Sequence, residues 1–290
     1  MRLVSYRIGE GGAAPAAGVL LGQEIVPLTA LSAPATSVRG LLAELDAAGL
    51  LALGARAAEA GERVALAGVR LLAPVPDPAK IICLGLNYRD HAEESGQEIP
   101  SAPMWFAKFA NSLIGSGEEI VLPCAHPEYV DYEAEMAVVI GRTASRVPES
   151  DALSFVAGAM PFNDVSARDL QLQNPLWTSG KAVDTFAPCG PALVTMEEAG
   201  DLGSLSLSTR INGRVVQKGN TSNLIFGVAE TVAWLSRTVT LEPGDIIATG
   251  TPAGVGGPQG IFLRDGDTVE VEVQGLGALS NPVRSQAPAA

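Results

Sequence analysis

The strongest constraint on this chain is the run Asp131-Tyr132-Glu133-Ala134-Glu135, which passes without a break into Met136-Ala137-Val138-Val139-Ile140-Gly141. The apolar, β-branched second half reads as a buried strand. Side chains two apart on a strand share a face, so Glu133 and Glu135 project side by side. Two carboxylates forced together resist ionising unless a proton or a cation lies between them. Asp164, in Asn163-Asp164-Val165, offers a third hard oxygen donor, and no Cys or His stands in either segment. That donor set suits Mg²⁺, Mn²⁺ or Ca²⁺ better than zinc. An edge strand with its acids in water would carry the same doublet.

At 290 residues the chain can bury a large core. Hydrophobic residues at 47 % and charged residues at 18 % place it among globular proteins. A net charge of −13 with no basic stripe excludes a nucleic-acid partner. The first ten residues lack the apolar core of a signal peptide, and acids and arginines interrupt the apolar stretch at 41–74, so no membrane span is expected. Cys83, Cys124 and Cys189 are odd in number and far apart, which points to reduced thiols and a cytoplasmic location.

Short strands are expected at 3–6, 17–21 and 24–28, followed by one or two amphipathic helices across 38–60 and a strand at 69–72. The proline-rich stretch at 74–78 reads as the linker out of a small N-terminal α/β domain, giving domains at 1–73 and 74–290. Beyond it, strands are expected at 81–86, 138–140, 192–195, 205–211 and 269–273. Helices are expected at 91–96, 150–155 and 222–236. Strands without regular βα alternation imply a β-rich α+β fold whose mixed sheet is closed or folded over itself.

Three further segments carry chemistry. His91 and Glu94 are three apart, so on a helical turn they share a face, where a carboxylate can orient an imidazole as a general base. A surface helix capped by Asp90 is the plain alternative. Lys181 follows Gly180, but Pro175 and Ala182 exclude a phosphate-binding P-loop. It could hold an anionic oxygen or a developing enolate. The strand at 244–249 runs into Gly250-Thr251-Pro252-Ala253-Gly254-Val255-Gly256-Gly257, whose amides can approach a carboxylate closely. Gln259 stands where a dinucleotide fingerprint would need its third glycine. No GxSxG elbow is present, so hydrolysis would need metal-assisted water.

Taken in order, Gly85-Leu86-Asn87-Tyr88…His91, Asp131-Tyr132-Glu133-Ala134-Glu135, Asn163-Asp164-Val165-Ser166-Ala167-Arg168-Asp169 and Gly244-Asp245-Ile246-Ile247-Ala248-Thr249-Gly250-Thr251-Pro252 resemble the fumarylacetoacetate hydrolase superfamily across roughly 80–273. The resemblance implies a fold of mixed β-sheets rolled into a barrel-like core beside a small N-terminal domain, in a homodimer. It implies one Mg²⁺ or Mn²⁺ per chain on Glu133, Glu135 and Asp164. His91 and Glu94 become the water-activating dyad on a lid at 88–112, and Lys181 becomes catalytic. Lys108, Arg168, Gln171 and Thr251 become contacts to a small keto-acid substrate. Phe109 departs from the family's frequent Lys-Pro, which bears only on local loop shape.

The activity implied is C–C bond hydrolysis of a 2,4-diketo acid of the acylpyruvate or fumarylpyruvate type, as in aromatic or sugar-acid catabolism. Decarboxylation of oxaloacetate-like acids and isomerisation of hydroxymuconate-type acids are the alternatives on the same metal site. The His-Glu pair favours hydrolysis, because decarboxylation needs no activated water.

Overall fold

The computed structural model describes residues 1–9, 14–126 and 128–286. Its first strands form a meander in which β1 (Arg2–Ile8), β2 (Ala16–Leu21) and β3 (Glu24–Pro27) pair antiparallel in sequence order. Two helices follow, α1 (Val38–Glu44) and α2 (Ala47–Glu59). The apolar stretch breaks in two because Asp46 caps the second helix, its carboxylate accepting the Gly49 amide at 2.8 Å. Leu41, Leu42, Leu50, Leu53 and Ala57 form the buried stripe against Leu3, Val19 and Val26. β4 (Val64–Ala65) and β5 (Val69–Leu71) pair with β3 and β1.

β6 (Ile81–Gly85), α3 (Arg89–Glu94), β7 (Met104–Lys108), β8 (Leu113–Ile114), β9 (Ile120–Leu122), β10 (Val130–Asp131) and β11 (Ala134–Ile140) come next. They are followed by α4 (Glu149–Ala152), β12 (Val156–Asn163), β13 (Ser166–Ala167), α5 (Arg168–Gln171), α6 (Thr178–Lys181), β14 (Ala187–Pro188), β15 (Leu193–Thr195) and α7 (Met196–Ala199). The last group is β16 (Ser206–Ile211), β17 (Arg214–Asn220), α8 (Val228–Ser236), β18 (Ile246–Ala248), α9 (Gly256–Gln259), β19 (Thr268–Val273) and β20 (Gly277–Ser285).

One mixed sheet of eleven strands runs β4-β3-β2-β1-β15-β12-β11-β18-β6-β7, with β5 alongside β1. Pairing of β1 with β15 joins the N-terminal meander to the rest by main-chain hydrogen bonds. A second, five-stranded sheet runs β17-β16-β19-β20-β9. The pairs β6–β18, β8–β14 and β9–β20 are parallel, the others antiparallel, in a β-rich α+β fold.

Every residue of β11 is buried, which is why its sequence is apolar on both faces rather than alternating. Ala137 and Val139 enter the core shared with Val75, Ile81 and Leu193. Met136, Val138 and Ile140 enter the core that holds Leu207, Val271, Val273 and Leu279 of the second sheet. By the same alternation Glu133 and Glu135 side with Ala137 and Val139.

The helix expected over 222–236 spans only Val228–Ser236. Residues 224–226 are tied to the Asn87 turn instead, with Leu224 bridged to Tyr88 and the amides of Ile225 and Phe226 donating to the Asn87 carbonyl and Asn87 Oδ1. Among the described residues no helix is long and apolar enough to cross a membrane.

Candidate active site

Antiparallel pairing of β11 with β12 builds the acidic cluster. Ala134 lies opposite Asn163, so the residues flanking that pair, Glu133, Glu135 and Asp164, come together at one end of the ladder. Asn163 Oδ1 accepts the Glu133 amide at 3.0 Å, and the Asp164 amide donates to the Glu133 carbonyl at 3.0 Å. One oxygen from each carboxylate lies within 4.8 Å of the other two, and all three residues are buried.

The neighbouring strand β18 leaves the ladder at this point. It pairs with β11 as far as Ala248 opposite Ala137, after which side chains continue the contact. Thr249 donates its amide and hydroxyl to the Met136 carbonyl at 3.0 and 2.8 Å, and the Thr251 hydroxyl donates to the Ala134 carbonyl at 2.9 Å. Between them the Gly250 amide donates to Glu135 Oε2 at 2.9 Å. Gly250 has φ +95°, and a Cβ there would lie 2.8 Å from that of Asn87, so only glycine fits.

Three cationic side chains lie against the acids. Lys181 Nζ, on α6, donates to Glu133 Oε2 at 2.9 Å and to Asp164 Oδ2 at 2.7 Å. Lys108 Nζ, at the end of β7, pairs with Asp164 and donates to the Val165 carbonyl at 3.0 Å. Arg168 Nη2 lies 2.7 Å from Asp131 and 2.8 Å from Glu133. Burial raises the Glu133 pKa, but the charges of Lys181 and Arg168 outweigh it and hold the carboxyl down to about 2. Glu135 has no such partner. Burial first, then Asp164 and Glu133, push its pKa well above the ordinary range. Burial alone would lower the Lys181 pKa, yet Asp164 and Glu133 raise it above the ordinary value and keep it an ammonium.

Glu135 Oε1 is buried and has no hydrogen-bond partner, beside two other carboxylates. An orphaned hard oxygen in an all-carboxylate set is what a divalent cation satisfies, so the residues fit Mg²⁺ or Mn²⁺.

The imidazole reaches the site from α3. Leu86 takes φ +51° where β6 turns into this helix, and Asn87 locks the turn by donating Nδ2 to the carbonyls of Thr249 at 2.8 Å and Phe226 at 3.1 Å. His91 and Glu94 share one face of α3, with Nδ1 3.5 Å from Glu94 Oε2, longer than a hydrogen bond. Both Glu94 oxygens accept the Gly254 amide instead, at 3.0 and 3.1 Å.

The remaining residues singled out in the sequence are brought to the same place. Gln171 Oε1 accepts from Arg168 Nη1 at 2.9 Å. Thr251 has its proton committed to Ala134 and accepts from Gln217 Nε2 at 2.8 Å. Of the apolar residues at 99–106, Ile99, Met104 and Trp105 are exposed, while the Phe106 ring lies 5.1 Å beneath Lys181 Nζ and 5.7 Å from Trp177, edge-on. Trp177 rests on Gly85, where a Cβ would come within 2.3 Å of its ring. A cavity of about 1000 Å³ lies elsewhere, lined by residues of β2, α2 and β12.

Asp131 belongs to this centre although it was not singled out as a site residue. Its buried carboxylate accepts the Gly256 and Gly257 amides at 2.6 and 3.0 Å and Arg168 Nε at 2.8 Å. It therefore ties the glycine-rich loop to the arginine beside Glu133. The available signal was its spacing, two residues before Glu133.

Comparison with known proteins identifies the family and the fold. The sequence model of the fumarylacetoacetate (FAA) hydrolase C-terminal family matches residues 80–284. Over 218 residues the chain is 46 % identical to the mitochondrial oxaloacetate tautomerase Fahd2a of Rattus norvegicus, covering 74 % of this chain and 69 % of that protein. The fold matches the fumarylacetoacetate hydrolase of Exiguobacterium antarcticum with a TM-score of 0.85 at 33 % identity, over 99 % of this chain and 100 % of that one. It matches the 5-carboxymethyl-2-hydroxymuconate delta-isomerase of Mycobacterium smegmatis with a TM-score of 0.78 at 34 % identity, over 99 % and 100 % of the two chains.

Proposed function

The chain belongs to the fumarylacetoacetate hydrolase family, and from that premise we propose that it is a divalent-metal-dependent enzyme that interconverts the keto and enol forms of an oxaloacetate-like 2-oxo dicarboxylate. The observation that carries this is the buried trio of carboxylates with an unpartnered Glu135 oxygen, ringed by Lys108, Lys181 and Arg168. Glu133, Glu135 and Asp164 would hold Mg²⁺ or Mn²⁺, which when bound supplies Lewis-acid polarisation of a 2-oxo acid.

Each remaining step falls to a side chain of this protein. His91, beside Glu94 on one face of α3, takes the proton from C3 as general base. That proton is returned to the C2 oxygen in the enol, so no water is consumed and no C–C bond breaks. Lys181, kept charged by its two carboxylate partners, stabilises the negative charge developing on that oxygen. The 46 % identity to an oxaloacetate tautomerase supports this substrate class.

Hydrolytic C–C cleavage of an acylpyruvate-type acid is the second reading, favoured by the same His91–Glu94 pair acting on water and by the likeness to a fumarylacetoacetate hydrolase. Assembly as a homodimer is part of the same proposal, and the mass of the protein in solution tests it. The deciding experiment follows enol loss and product identity for oxaloacetate, acetylpyruvate and fumarylpyruvate, using metal-stripped protein with and without Mn²⁺ or Mg²⁺. Metal-dependent ketonisation of enol-oxaloacetate without cleavage is the expected result. Pyruvate with acetate or fumarate would replace it with the hydrolase reading, and undiminished turnover after stripping would refute both.

A further inference from the structure

Gln217 lies on β17, in the five-stranded sheet, 2 % exposed and outside every motif discussed above. Its amide makes four hydrogen bonds. Oε1 accepts the Ala134 amide at 2.9 Å and the Thr209 hydroxyl at 2.9 Å. Nε2 donates to the Thr251 hydroxyl at 2.8 Å and the Pro252 carbonyl at 2.9 Å. Because one side of the amide meets an N–H and the other a carbonyl, only one orientation satisfies all four. A register shift between Thr209 and Arg210, where β16 faces β17, adjoins this residue, and such bulges re-aim neighbouring side chains.

Ala134 is the residue between Glu133 and Glu135, so what grips its peptide sets how those two carboxylates splay. Gln217 takes the Ala134 N–H and Thr251 fills the Ala134 carbonyl, while Gln217 also fixes the Thr251 hydroxyl. We infer that Gln217 is a positioning residue that clamps the metal-ligand strand and the Thr251-Pro252 turn together, acting on cation affinity through Ala134 and on substrate binding through Thr251. It rests on the reading that Glu133, Glu135 and Asp164 hold a divalent cation. The sheet that carries no ligand thereby sets the geometry of the sheet that does.

The test is a Mn²⁺ titration by calorimetry, with thermal midpoints, on wild type, Gln217→Met, Gln217→Glu and a control, Leu279→Ala, which weakens the same sheet's core without touching these bonds. Methionine keeps the length of the side chain and loses all four bonds. Its Mn²⁺ Kd should weaken by about ten- to a hundredfold, the usual scale for groups that orient metal ligands, while Leu279→Ala loses midpoint temperature yet keeps its affinity. Glutamate keeps both acceptor bonds and loses both donations. It should bind Mn²⁺ at least as tightly as wild type but show a raised KM, splitting the two halves of the clamp. Equal affinity in Gln217→Met and wild type, or an equal loss in Leu279→Ala, overturns the inference. If Gln217→Met does not fold, an unchanged KM in Gln217→Glu overturns it alone. Absence of Mn²⁺ binding in wild type removes the metal reading itself, a result read before any variant is compared.

Discussion

Gly254 donates its amide to both carboxylate oxygens of Glu94, at 3.0 and 3.1 Å. The acid that the sequence pairs with His91 is thus held by the backbone of the glycine-rich loop, 160 residues away in sequence. Gly256 and Gly257 of the same loop donate to Asp131, and Asp131 holds Arg168 against Glu133. One loop therefore holds both Glu94 on α3 and the Asp131 that pairs with Arg168.

If His91 and Glu94 act as one unit, their losses do not add. His91→Ala should lower kcat by about 10²–10⁴, the usual scale for removing a general base, with Mn²⁺ affinity retained. Glu94→Ala on top of His91→Ala should cost little more. A double-mutant cycle in kcat checks this; additive losses would show two independent roles.

Glu135→Gln should stabilise the metal-stripped protein while weakening Mn²⁺ binding. The Glu135 carboxyl is pushed above its ordinary value by burial and by Asp164 and Glu133. A raised carboxyl pKa means that the fold is favoured by the neutral form, so this contribution is present below the unfolded value and is lost as pH rises through the folded one. Glutamine removes that loss. Thermal midpoints of stripped wild type and variant across pH should diverge as pH rises, and parallel curves would contradict the assignment.

Gly256→Ala should destabilise the protein by about 1–3 kcal/mol, the scale of overpacking, and impair turnover as well. A Cβ at 256 would lie 1.9 Å from the Ile261 carbonyl and 2.5 Å from Asp131 Oδ1. Gly257→Ala meets only Asp131 Oδ2, at 3.7 Å, and should be tolerated. Denaturant unfolding of the two variants separates them.

Of the three cysteines, only Cys124 is exposed. Burial raises the thiol pKa of Cys83 and of Cys189, keeping both protonated and unreactive at neutral pH. A disulfide-exchange reagent should titrate one thiol in the folded protein and all three after unfolding. Rapid labelling of a second thiol in the folded state would place Cys83 or Cys189 in a more open environment.

The strand that carries Glu135 was legible because burial on both faces leaves a continuous apolar run, and two acids at its head have few explanations. β12 was missed, since Gly158 and Pro161 interrupt its pattern, yet it sits beside β11 at the sheet's centre and delivers Asp164. β20 hides its length in the same way behind Pro282. The proximity of His91 and Glu94 followed from helical spacing, whereas the grip of Gly254 on Glu94 could not, because it joins segments with no local signal. Gln217 was illegible for a related reason. A lone glutamine in a strand is ordinary until the fold shows which peptide lies opposite it.

Past the last paired residue of β18, the Thr249 amide still meets a β11 carbonyl, and the following amide, that of Gly250, meets the Glu135 carboxylate instead. The two ends of the site consequently differ in how freely they can be redesigned. The acidic end is built into the buried central sheet, where a change in side-chain size disturbs the core. The imidazole end hangs from a six-residue helix fastened through Asn87 and Gly254. Relatives that catalyse different reactions on this scaffold can therefore diverge at one end while inheriting the other unchanged.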